Sequence, residues 1–372
     1  MRPSARTGPV RLTVRAASAE YRIDISPGSS DRLAEALDDY GVPRRRFVVS
    51  STGLWRLHGH RLHGVTSEDP ILLPDGERFK HLGTVGRIYD ALIRAQADRG
   101  SAIVAIGGGV VGDVAGFAAA TFLRGMPLVH VPTTLLAQVD SAIGGKVGVN
   151  HPMGKNLIGA FHQPAAVLID PEFLKTLPRR EFRAGLYEVV KYGVIASRPL
   201  FDLVSLELKS LFARDPTRLV EVIAESCGIK ASVVEQDERE SGPRRILNFG
   251  HTAGHALEAV TKFRRFRHGE AVAFGMLAAA EIGVARGVMP PGDRDALGAL
   301  ITKMGPLPPV ADLDAALVVE AMGRDKKVVA GTLHFVVPGP IGSTQIATDV
   351  TSAELQIALI RIGLRPERGL TA

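Results

Sequence analysis

The fold is most strongly restricted by a change in hydrophobic periodicity near residue 178. Before this point, short apolar runs alternate with segments of helical periodicity, and after it strand patterns almost vanish. Strands that alternate with helices predict a parallel sheet with helices packed against it. The chain is therefore predicted to have an α/β domain over residues 1–178 and a mostly α-helical domain over residues 179–372.

The same patterns give approximate bounds for the elements. In the first domain they predict two strands within 10–26 and further strands at 46–50, 64–73, 102–106, 128–131 and 165–169, with helices at 31–41, 53–64 and 79–99. In the second they predict helices at 179–194, 199–211, 216–236, 249–261, 271–286, 294–304 and 313–322. Two late runs, at 333–338 and 344–348, predict a β-hairpin.

Composition and charge argue against several classes of protein. The formal net charge of +6 suits an anionic small ligand as well as a nucleic acid. Only 5% of residues are aromatic and the sequence has no RNA-binding signature, which argues against a nucleic-acid module. The single cysteine, Cys227, excludes an intramolecular disulfide and favours a reducing compartment, so we expect the cytoplasm. The longest apolar stretches, such as 269–283, fall short of the roughly 20 residues that span a bilayer. We expect neither a nucleic-acid partner nor a membrane partner.

A glycine-rich motif follows the apolar run 102–106. It reads Gly107-Gly108-Gly109-Val110-Val111-Gly112-Asp113 and opens a segment of helical character. Bare backbone N–H groups at a helix start suit a pyrophosphate, although a tight turn for helix packing is the alternative explanation. A classical dinucleotide domain has an acid about 20 residues further on, where this chain has His130. The motif therefore favours a nucleotide fold other than the classical one.

Four residues of the second domain form a candidate metal site. They are Glu188, His251, His255 and His268. His251 and His255 are four residues apart and share one helix face. Two histidines and one acid are typical of catalytic zinc, whereas the alternative is that these histidines are ordinary core or surface residues.

Several cationic residues lie beside glycine or proline in segments of low charge. The set comprises Arg124, Lys146, Lys155 with Asn156, Lys191, Lys230, Arg244 with Arg245, and Lys326 with Lys327. Such segments suit phosphate and carboxylate recognition, although an isolated lysine is more often simply solvated. Lys191 follows Glu188 by three residues and so lies on the same helix face.

Together these motifs resemble the 3-dehydroquinate synthase family of sugar phosphate cyclases. The resemblance runs in family order from about residue 74 to 342. It includes the glycine motif, Pro132-Thr133-Thr134, Asp140-Ser141, Ile143-Gly144-Gly145-Lys146, Gly154-Lys155-Asn156, Glu188-Val189-Val190-Lys191, Asn248-Phe249-Gly250-His251-Thr252, His268-Gly269-Glu270 and Asp325-Lys326-Lys327.

The resemblance implies an N-terminal α/β NAD-binding domain and a helical C-terminal domain that binds metal and substrate. The family's enzyme converts a phosphorylated sugar acid, 3-deoxy-D-arabino-heptulosonate 7-phosphate, into 3-dehydroquinate and phosphate in the shikimate pathway. It uses NAD catalytically together with a divalent metal, usually zinc or cobalt. The implied steps are transient oxidation, phosphate elimination, re-reduction and intramolecular aldol closure.

The resemblance also assigns roles to residues. It gives the metal to Glu188, His251 and His268, and the substrate phosphate to His255, Lys146, Asn156, Asn248 and one of Lys326 or Lys327. Arg244 and Lys230 would bind the carboxylate, and Asp140 and Lys191 the ring hydroxyls. Arg124 would reach the site of a neighbouring subunit, which implies a homodimer.

For NAD, the resemblance implies a longer set of residues. They are Glu77, Lys80, Gly108, Gly109, Val110, Asp113, Thr133, Thr134, Lys146, Lys155 and Thr176. In one place the chain departs from the family, because Ser50-Ser51-Thr52 stands where relatives usually carry an acid for the adenosine ribose. Ribose recognition would then fall to Glu77 or to a hydroxyl.

Three other functions stay open at the level of sequence. The first is a metal-dependent polyol dehydrogenase, which would need no phosphate or carboxylate clamp. The second is another sugar phosphate cyclase, such as an aminodehydroquinate synthase. The third is a non-catalytic binding protein on the same fold. Lys146, Asn156, Arg244 and the 325–327 segment favour a cyclase.

Overall fold

The chain folds into two compact units, described here from a computed structural model of residues 8–62, 64–323, 328–329 and 332–366. The first unit runs to Leu177 and also includes Ala213–Arg239. The second comprises Pro178–Phe212 and the described residues from Glu240 onward. The predicted boundary at 178 lies where the chain first leaves the first unit, but the return over Ala213–Arg239 was not part of that prediction.

The first unit is built on a sheet of seven strands. The strands are β1 (Val10–Arg15), β2 (Glu20–Ile25), β3 (Arg46–Ser51), β4 (Ile71–Leu73), β5 (Ala102–Gly107), β6 (Leu128–Pro132) and β9 (Ala166–Ile169). Between β6 and β9 the chain forms a separate hairpin of β7 (Lys146–His151) and β8 (Gly154–Phe161). Their order is β1-β2-β9-β6-β5-β3-β4, and every pairing except β1 with β2 is parallel. The parallel sheet predicted from the alternating pattern is confirmed.

Helices cover both faces of this sheet. They are α1 (Leu33–Asp39), α2 (Thr52–His58), α3 (Leu82–Arg94) and α4 (Gly109–Thr121). Along β3, Phe47 and Val49 pack in the cluster that includes α3 and α4, whereas Val48 packs in the cluster that includes α1. Every residue of β3, β5, β6 and β9 is buried, as expected for central parallel strands.

The second unit is mostly helical, as predicted. Its helices are α5 (Arg179–Ala196), α6 (Arg198–Leu206), α7 (Leu208–Phe212), α9 (His251–Val260), α10 (His268–Ala285), α11 (Pro291–Met304), α12 (Ala315–Gly323) and α13 (Ser352–Arg361), while α8 (Pro216–Gln236) belongs to the first unit. Short strands β10 (Val328–Val329) and β11 (Thr332–Leu333) pair with each other, and β12 (Phe335–Pro338) pairs antiparallel with β13 (Thr344–Ala347). The late hairpin predicted from the sequence is therefore present.

Three features differ from the expected elements. The strand expected over 64–73 is confined to β4, because turns and bends occupy the residues before it. The segments 144–146 and 154–156 were interpreted from the sequence as polar loops, but β7 begins at Lys146 and all of 154–156 lies in β8. The two strands of this hairpin pass so closely that Gly148 and Gly159 leave no room for side chains. Helix α13 was not predicted at all.

Among the described residues, no helix is both long and apolar enough to cross a membrane.

Two glycines allow the backbone of α10 to pack directly against the backbone of α5 and against the residue that precedes α9. A Cβ on Gly269 would lie 2.0 Å from the carbonyl oxygen of Ala184 in α5. A Cβ on Gly275 would lie 1.8 Å from the carbonyl oxygen of Gly250, which precedes α9. Real Cβ atoms do not approach other atoms this closely, so α5, α9 and α10 can pack in this way only with glycine at these positions.

We predict that Gly275→Ala destabilises the helical unit. The added methyl must push α10 away from the start of α9, and overpacking of this kind costs roughly 1–3 kcal/mol. Urea denaturation, followed by circular dichroism, measures the change. Gly298→Ala is the matched control, because it lies inside α11 and its Cβ would meet nothing closer than Leu277 at 4.0 Å. Equal stability of Gly275→Ala and the wild type would contradict the prediction.

Candidate active site

Three histidines and one glutamate of the second unit form a compact cluster. Ring nitrogens of His251, His255 and His268 lie within 4.8 Å of one another. Oε1 of Glu188 lies 3.6 Å from Nε2 of His251 and 3.7 Å from Nε2 of His268. The structure thus brings together the four residues that the sequence singled out.

The cluster is assembled where two helices begin. His251 is the first residue of α9, and His255 follows one turn later on the same face. His268 is the first residue of α10, and Glu188 lies in the middle of α5. The close approach of these three helices therefore sets the distances within the cluster.

Hydrogen-bond acceptors behind two of the rings indicate which nitrogen faces Glu188. Nδ1 of His251 lies 3.1 Å from the carbonyl oxygen of Phe249, and Nδ1 of His268 lies 3.3 Å from Oε2 of Glu258. Both acceptors are satisfied when the proton is assigned to Nδ1. The Nε2 lone pairs are then directed toward Glu188, as in a metal site with oriented histidines.

The donor set fits a divalent metal. Glu188 is fully buried, and its Oε1, the oxygen facing the imidazoles, accepts no hydrogen bond within the described part of the chain. Lys191 forms a buried ion pair with the other oxygen, Oε2. A buried carboxylate oxygen without a donor is costly unless a positive charge compensates it. Imidazole nitrogens and a carboxylate oxygen are ligands that zinc prefers.

A short turn before α9 carries two more of the predicted residues. In the 3₁₀ turn Pro243–Asn248, the side chain of Arg244 is 1% exposed. Asn248 donates its amide to Oε1 of Glu240 at 2.5 Å. Gly250, with φ of +77°, then reverses the chain into His251, a conformation that favours glycine.

In the first unit, Asp140 and Lys230 are partners of each other. Nζ of Lys230 donates to Oδ1 of Asp140 at 2.7 Å and to its backbone oxygen at 2.6 Å. Asp140 lies in the π-helical turn Ala137–Ser141 after β6, and Lys230 lies in α8. The return of α8 to the first unit therefore explains how two residues 90 positions apart form one charged pair.

The glycine motif connects β5 to α4. A Cβ on Gly108 would lie 3.0 Å from Cγ2 of Thr134, and one on Gly109 would lie 3.1 Å from Oγ of Ser141. Helix α4 begins at Gly109 and runs for 13 residues. The loop is thus a narrow cradle of bare backbone at a helix start, which fits the pyrophosphate of a dinucleotide. Gly107 serves packing, since its Cβ would meet Val111 at 2.6 Å.

Lys80 connects residues that the sequence assigned to two different ligands. Its buried ammonium contacts the Asp113 carboxylate and donates to Oδ1 of Asn156. Asn156 has φ of +53° and is held there by Asn150, whose Oδ1 accepts its backbone N–H at 3.0 Å. Nδ2 of Asn150 donates to Oε1 of Glu77 at 2.8 Å. Predicted NAD residues and the predicted phosphate residue therefore share one network.

The charges of this network depend on one another. Burial raises the pKa of Asp113, and the attraction of Lys80 only partly offsets it. Burial alone would lower the pKa of Lys80, but Asp113 and Glu77 raise it above its ordinary value. Lys80 is therefore held as a cation in a buried position.

The remaining predicted residues are placed as follows. Lys146 begins β7, Lys155 lies in β8, Thr133 is buried after β6, and the hydroxyl of Thr176 lies 2.7 Å from Nε2 of His58. Arg124 and its neighbour Leu123 both have left-handed backbone, with φ of +65° and +50°. Val110 lies in the first turn of α4. Lys326 and Lys327 lie outside the described residues.

The three hydroxyls that replace the expected acid are already engaged. Ser50 donates to the carbonyl of Ile106, Ser51 accepts from the first turn of α2, and Thr52 donates to the carbonyl of Leu73. A carboxylate nevertheless reaches this position, because Oδ2 of Asp75 accepts the Gly53 N–H at 3.0 Å.

Sequence reasoning missed Asp75, Asn150 and Glu258. Each of them had a visible signal in the sequence. Asp75 belongs to the same Pro-Asp-Gly-Glu segment as Glu77, and Asn150 lies close to Asn156 in sequence. Glu258 follows His251 by seven residues, which is two helical turns along one face.

Comparison with known proteins identifies the class. One solved enzyme with this fold is 2-epi-5-epi-valiolone synthase from Streptomyces hygroscopicus subsp. jinggangensis with NAD+ and Zn2+ bound. It has a TM-score of 0.84 and 28% sequence identity, and the match covers 92% of this chain and 97% of that chain. A second is 2-deoxy-scyllo-inosose synthase complexed with carbaglucose-6-phosphate, NAD+ and Co2+, with a TM-score of 0.83, 27% identity and coverage of 94% of this chain and 99% of that chain. The fold is thus that of the sugar phosphate cyclases.

The particular family follows from sequence. The models for the 3-dehydroquinate synthase N-terminal and C-terminal families match residues 70–184 and 185–328. A 3-dehydroquinate synthase from Nostoc punctiforme is 46% identical over 353 residues, covering 92% of this chain and 96% of the relative. The chain belongs to the 3-dehydroquinate synthase family. The resemblance stated from the motifs is confirmed, as is the assignment to an enzyme of phosphate-eliminating cyclisation.

We predict that His130 makes stability fall as pH decreases. It lies in β6 beside Gly112, and burial lowers its pKa from 6.5 to about 4, with a smaller contribution from His162. Between these values the unfolded chain binds a proton that the folded chain excludes. The contribution of neutral His130 to the free energy of unfolding is therefore fully present above pH 6.5. It is lost as the pH falls toward 4, by up to about 3 kcal/mol.

Urea denaturation from pH 7 to pH 4 tests the role of His130. His130→Gln is expected to lose less stability over this range than the wild type, because the variant has no imidazole to titrate. His60→Gln, at an exposed position, is the control and should follow the wild type. Parallel pH curves for His130→Gln and the wild type would refute the prediction.

Proposed function

We propose that this chain converts 3-deoxy-D-arabino-heptulosonate 7-phosphate into 3-dehydroquinate and phosphate in the shikimate pathway. The observation that carries the proposal is the convergence of Glu188, His251, His255 and His268 in a member of the 3-dehydroquinate synthase family. Curated relatives with this name, at 44–47% identity over most of the chain, support the same reaction.

We propose NAD and a divalent metal, zinc or cobalt, as cofactors. The two solved cyclases contain NAD+ with Zn2+ or Co2+, and this chain retains both a bare glycine cradle and a histidine cluster. When bound, NAD accepts and returns a hydride, and the metal supplies Lewis-acid polarisation of a substrate oxygen. NAD contacts are assigned to Glu77, Lys80, Gly108, Gly109, Val110, Asp113, Thr133, Thr134, Lys146, Lys155 and Thr176.

Glu188, His251 and His268 are proposed to hold the metal. His255 shares the helix face of His251 and is left to address the substrate phosphate. Glu188 has a second task, because Lys191 is paired with its Oε2. This pair holds the Lys191 ammonium in place to donate hydrogen bonds to a ring hydroxyl beside the metal.

The phosphate end of the substrate is assigned to Lys146, Asn156, Asn248 and one of Lys326 or Lys327. In this chain Asn150 holds the backbone of Asn156 in a left-handed conformation, and Lys80 donates to its side-chain Oδ1. The side-chain amide is therefore oriented before substrate arrives. Cations and amide donors on the phosphate stabilise the charge that develops as it leaves. The departing dianion can itself remove the neighbouring proton, so no separate protein base is needed.

Arg244 and Lys230 are proposed to bind the carboxylate of the substrate, and Asp140 a ring hydroxyl. The guanidinium of Arg244 is buried and planar, which suits a bidentate carboxylate contact. The pairing of Lys230 with Asp140 holds both side chains in position. Fixing a flexible sugar acid at several points lowers the barrier on the order of several kcal/mol by orientation alone.

We also propose a cytoplasmic homodimer. The buried single cysteine suits a reducing compartment, and the turn at Leu123 and Arg124 carries an exposed Leu123 with Arg124 beside it. Arg124 would then contact the substrate of the neighbouring subunit. The mass of the purified chain by sedimentation equilibrium tests this part of the proposal.

The function is tested by incubating the metal-loaded protein with NAD and the heptulosonate phosphate. We expect phosphate and 3-dehydroquinate to appear together in equal amounts, with no net NADH, because the hydride is returned. Phosphate is measured colorimetrically and the carbocycle by mass spectrometry. NADH accumulating on simple polyols, with no phosphate released, would instead identify a dehydrogenase. Turnover of only an amino analogue of the substrate would identify an aminodehydroquinate synthase.

We predict that Glu188→Gln removes bound metal. The variant keeps the size of the side chain but loses the anionic oxygen that faces His251 and His268. We expect metal content by elemental analysis to fall severalfold or more and turnover by at least about 100-fold, the upper end of the effect of losing a group behind a metal ligand, with an unchanged circular dichroism spectrum. Glu281→Gln, in the distal part of α10, is the control for loss of a carboxylate elsewhere. Full metal occupancy in Glu188→Gln would refute the assignment.

A further inference from the structure

Helix α9 carries a third polar residue on the face that bears its two histidines. His251, His255 and Glu258 are spaced by four and then three residues, which aligns them along one stripe. The first two residues belong to the imidazole cluster, and the third reaches the back of the ring of His268. The stripe therefore continues past the residues to which a role has been assigned.

The carboxylate of Glu258 is buried, with 3% of the residue exposed. Oε2 lies 3.3 Å from Nδ1 of His268, at the long end of the hydrogen-bonding range. Removing a carboxylate from water costs several kcal/mol unless donors or a positive charge compensate it. A carboxylate buried directly behind a proposed metal ligand, and in contact with that ligand's second ring nitrogen, points to a task at that ligand.

His268 lies between two carboxylates. Its Nε2 faces Oε1 of Glu188 at 3.7 Å, and its Nδ1 faces Oε2 of Glu258 at 3.3 Å. A proton on Nδ1 satisfies Glu258 and leaves Nε2 as an unprotonated ligand atom. His251 is oriented differently, because its Nδ1 faces a neutral backbone carbonyl, that of Phe249. The two rings therefore differ in the charge of the acceptor behind them.

We propose that Glu258 is a positioning residue that sets the affinity of the metal centre through His268. A carboxylate behind a histidine fixes its tautomer and ring orientation and makes its other nitrogen a stronger donor. Glu258 thus adds a second buried carboxylate to that of Glu188, whose other oxygen is paired with Lys191. Glu258 itself does not contact the metal or the substrate. This inference rests on the metal centre proposed above.

The test compares Zn2+ affinity in the wild type and Glu258→Gln, by competition with a chromophoric chelator. Glutamine keeps the shape and can still accept from Nδ1–H, but it removes the charge. We expect affinity to fall about 10–100-fold, the usual effect of losing a partner behind a ligating histidine. Glu281→Gln is the matched control, because it replaces a carboxylate on the same helix as His268 whose partners are Arg294 and Arg361. It should bind Zn2+ like the wild type.

Two further measurements distinguish a positioning role of Glu258 from a loss of structure in the variant. With Co2+ in place of Zn2+, the visible absorption bands of Glu258→Gln should shift, because the ligand field depends on the donor strength of His268. Glu258→Asp keeps the charge and should fold if Glu258→Gln does not; its affinity should then lie below that of the wild type, because the shorter side chain draws the carboxylate away from Nδ1.

The possible outcomes are distinct. Zn2+ affinity within twofold of the wild type in Glu258→Gln, with unchanged Co2+ bands, would overturn the role of Glu258 and leave the metal centre standing. If Glu258→Gln does not fold, affinity within twofold of the wild type in Glu258→Asp would overturn it equally. A wild-type chain that binds neither ion would overturn the metal centre and this inference together.

Discussion

The candidate metal site depends on backbone contact between α10 and its two neighbours. Gly269 meets the carbonyl of Ala184, one helical turn before Glu188, and Gly275 meets the carbonyl of Gly250, one residue before His251. A side chain at either glycine would move one ligand-bearing helix by the width of a methyl group. Metal–ligand distances tolerate only about 0.2 Å, so these glycines serve the chemistry as much as the packing.

Buried charge reinforces this contact. Glu270, two residues after His268, is fully buried and receives hydrogen bonds from Arg180 and Arg183 of α5. Its pKa is lowered because these bonds outweigh its burial. Breaking one partner of a buried ion pair is strongly destabilising, so this network is expected to hold the start of α10 against α5. The helix that supplies Glu188 and the helix that supplies His268 are thus joined by both shape and charge.

Sequence reasoning succeeded where one local pattern determines the structure. The alternation of apolar runs predicted the parallel sheet, and helical spacing predicted that His251 and His255 share a face. It failed where the local pattern is weak, and where pairing is decided by distant contacts. The β7–β8 hairpin lacks a clear alternating pattern because Gly148 and Gly159 occupy its closest approach. The return of α8 to the first unit also leaves no local signal.

The same distinction applies to the candidate site. Residue type and helical spacing were enough to select the candidate metal cluster, but the partners of its members could not be derived from spacing. Lys230 forms an ion pair with Asp140, and Lys191 forms one with Glu188. Lys80 forms an ion pair with Asp113 and donates a hydrogen bond to Asn156. In each case a group proposed to bind ligand already has an internal partner of opposite charge or complementary polarity. Holding these side chains in advance reduces the conformational entropy lost when a flexible sugar phosphate binds. A lysine ammonium has three donor hydrogens, so it can keep its internal acceptor and donate another hydrogen to an anionic ligand. Internal pairing and ligand recognition by the same cations are therefore compatible, and no buried carboxylate loses its partner when the ligand binds.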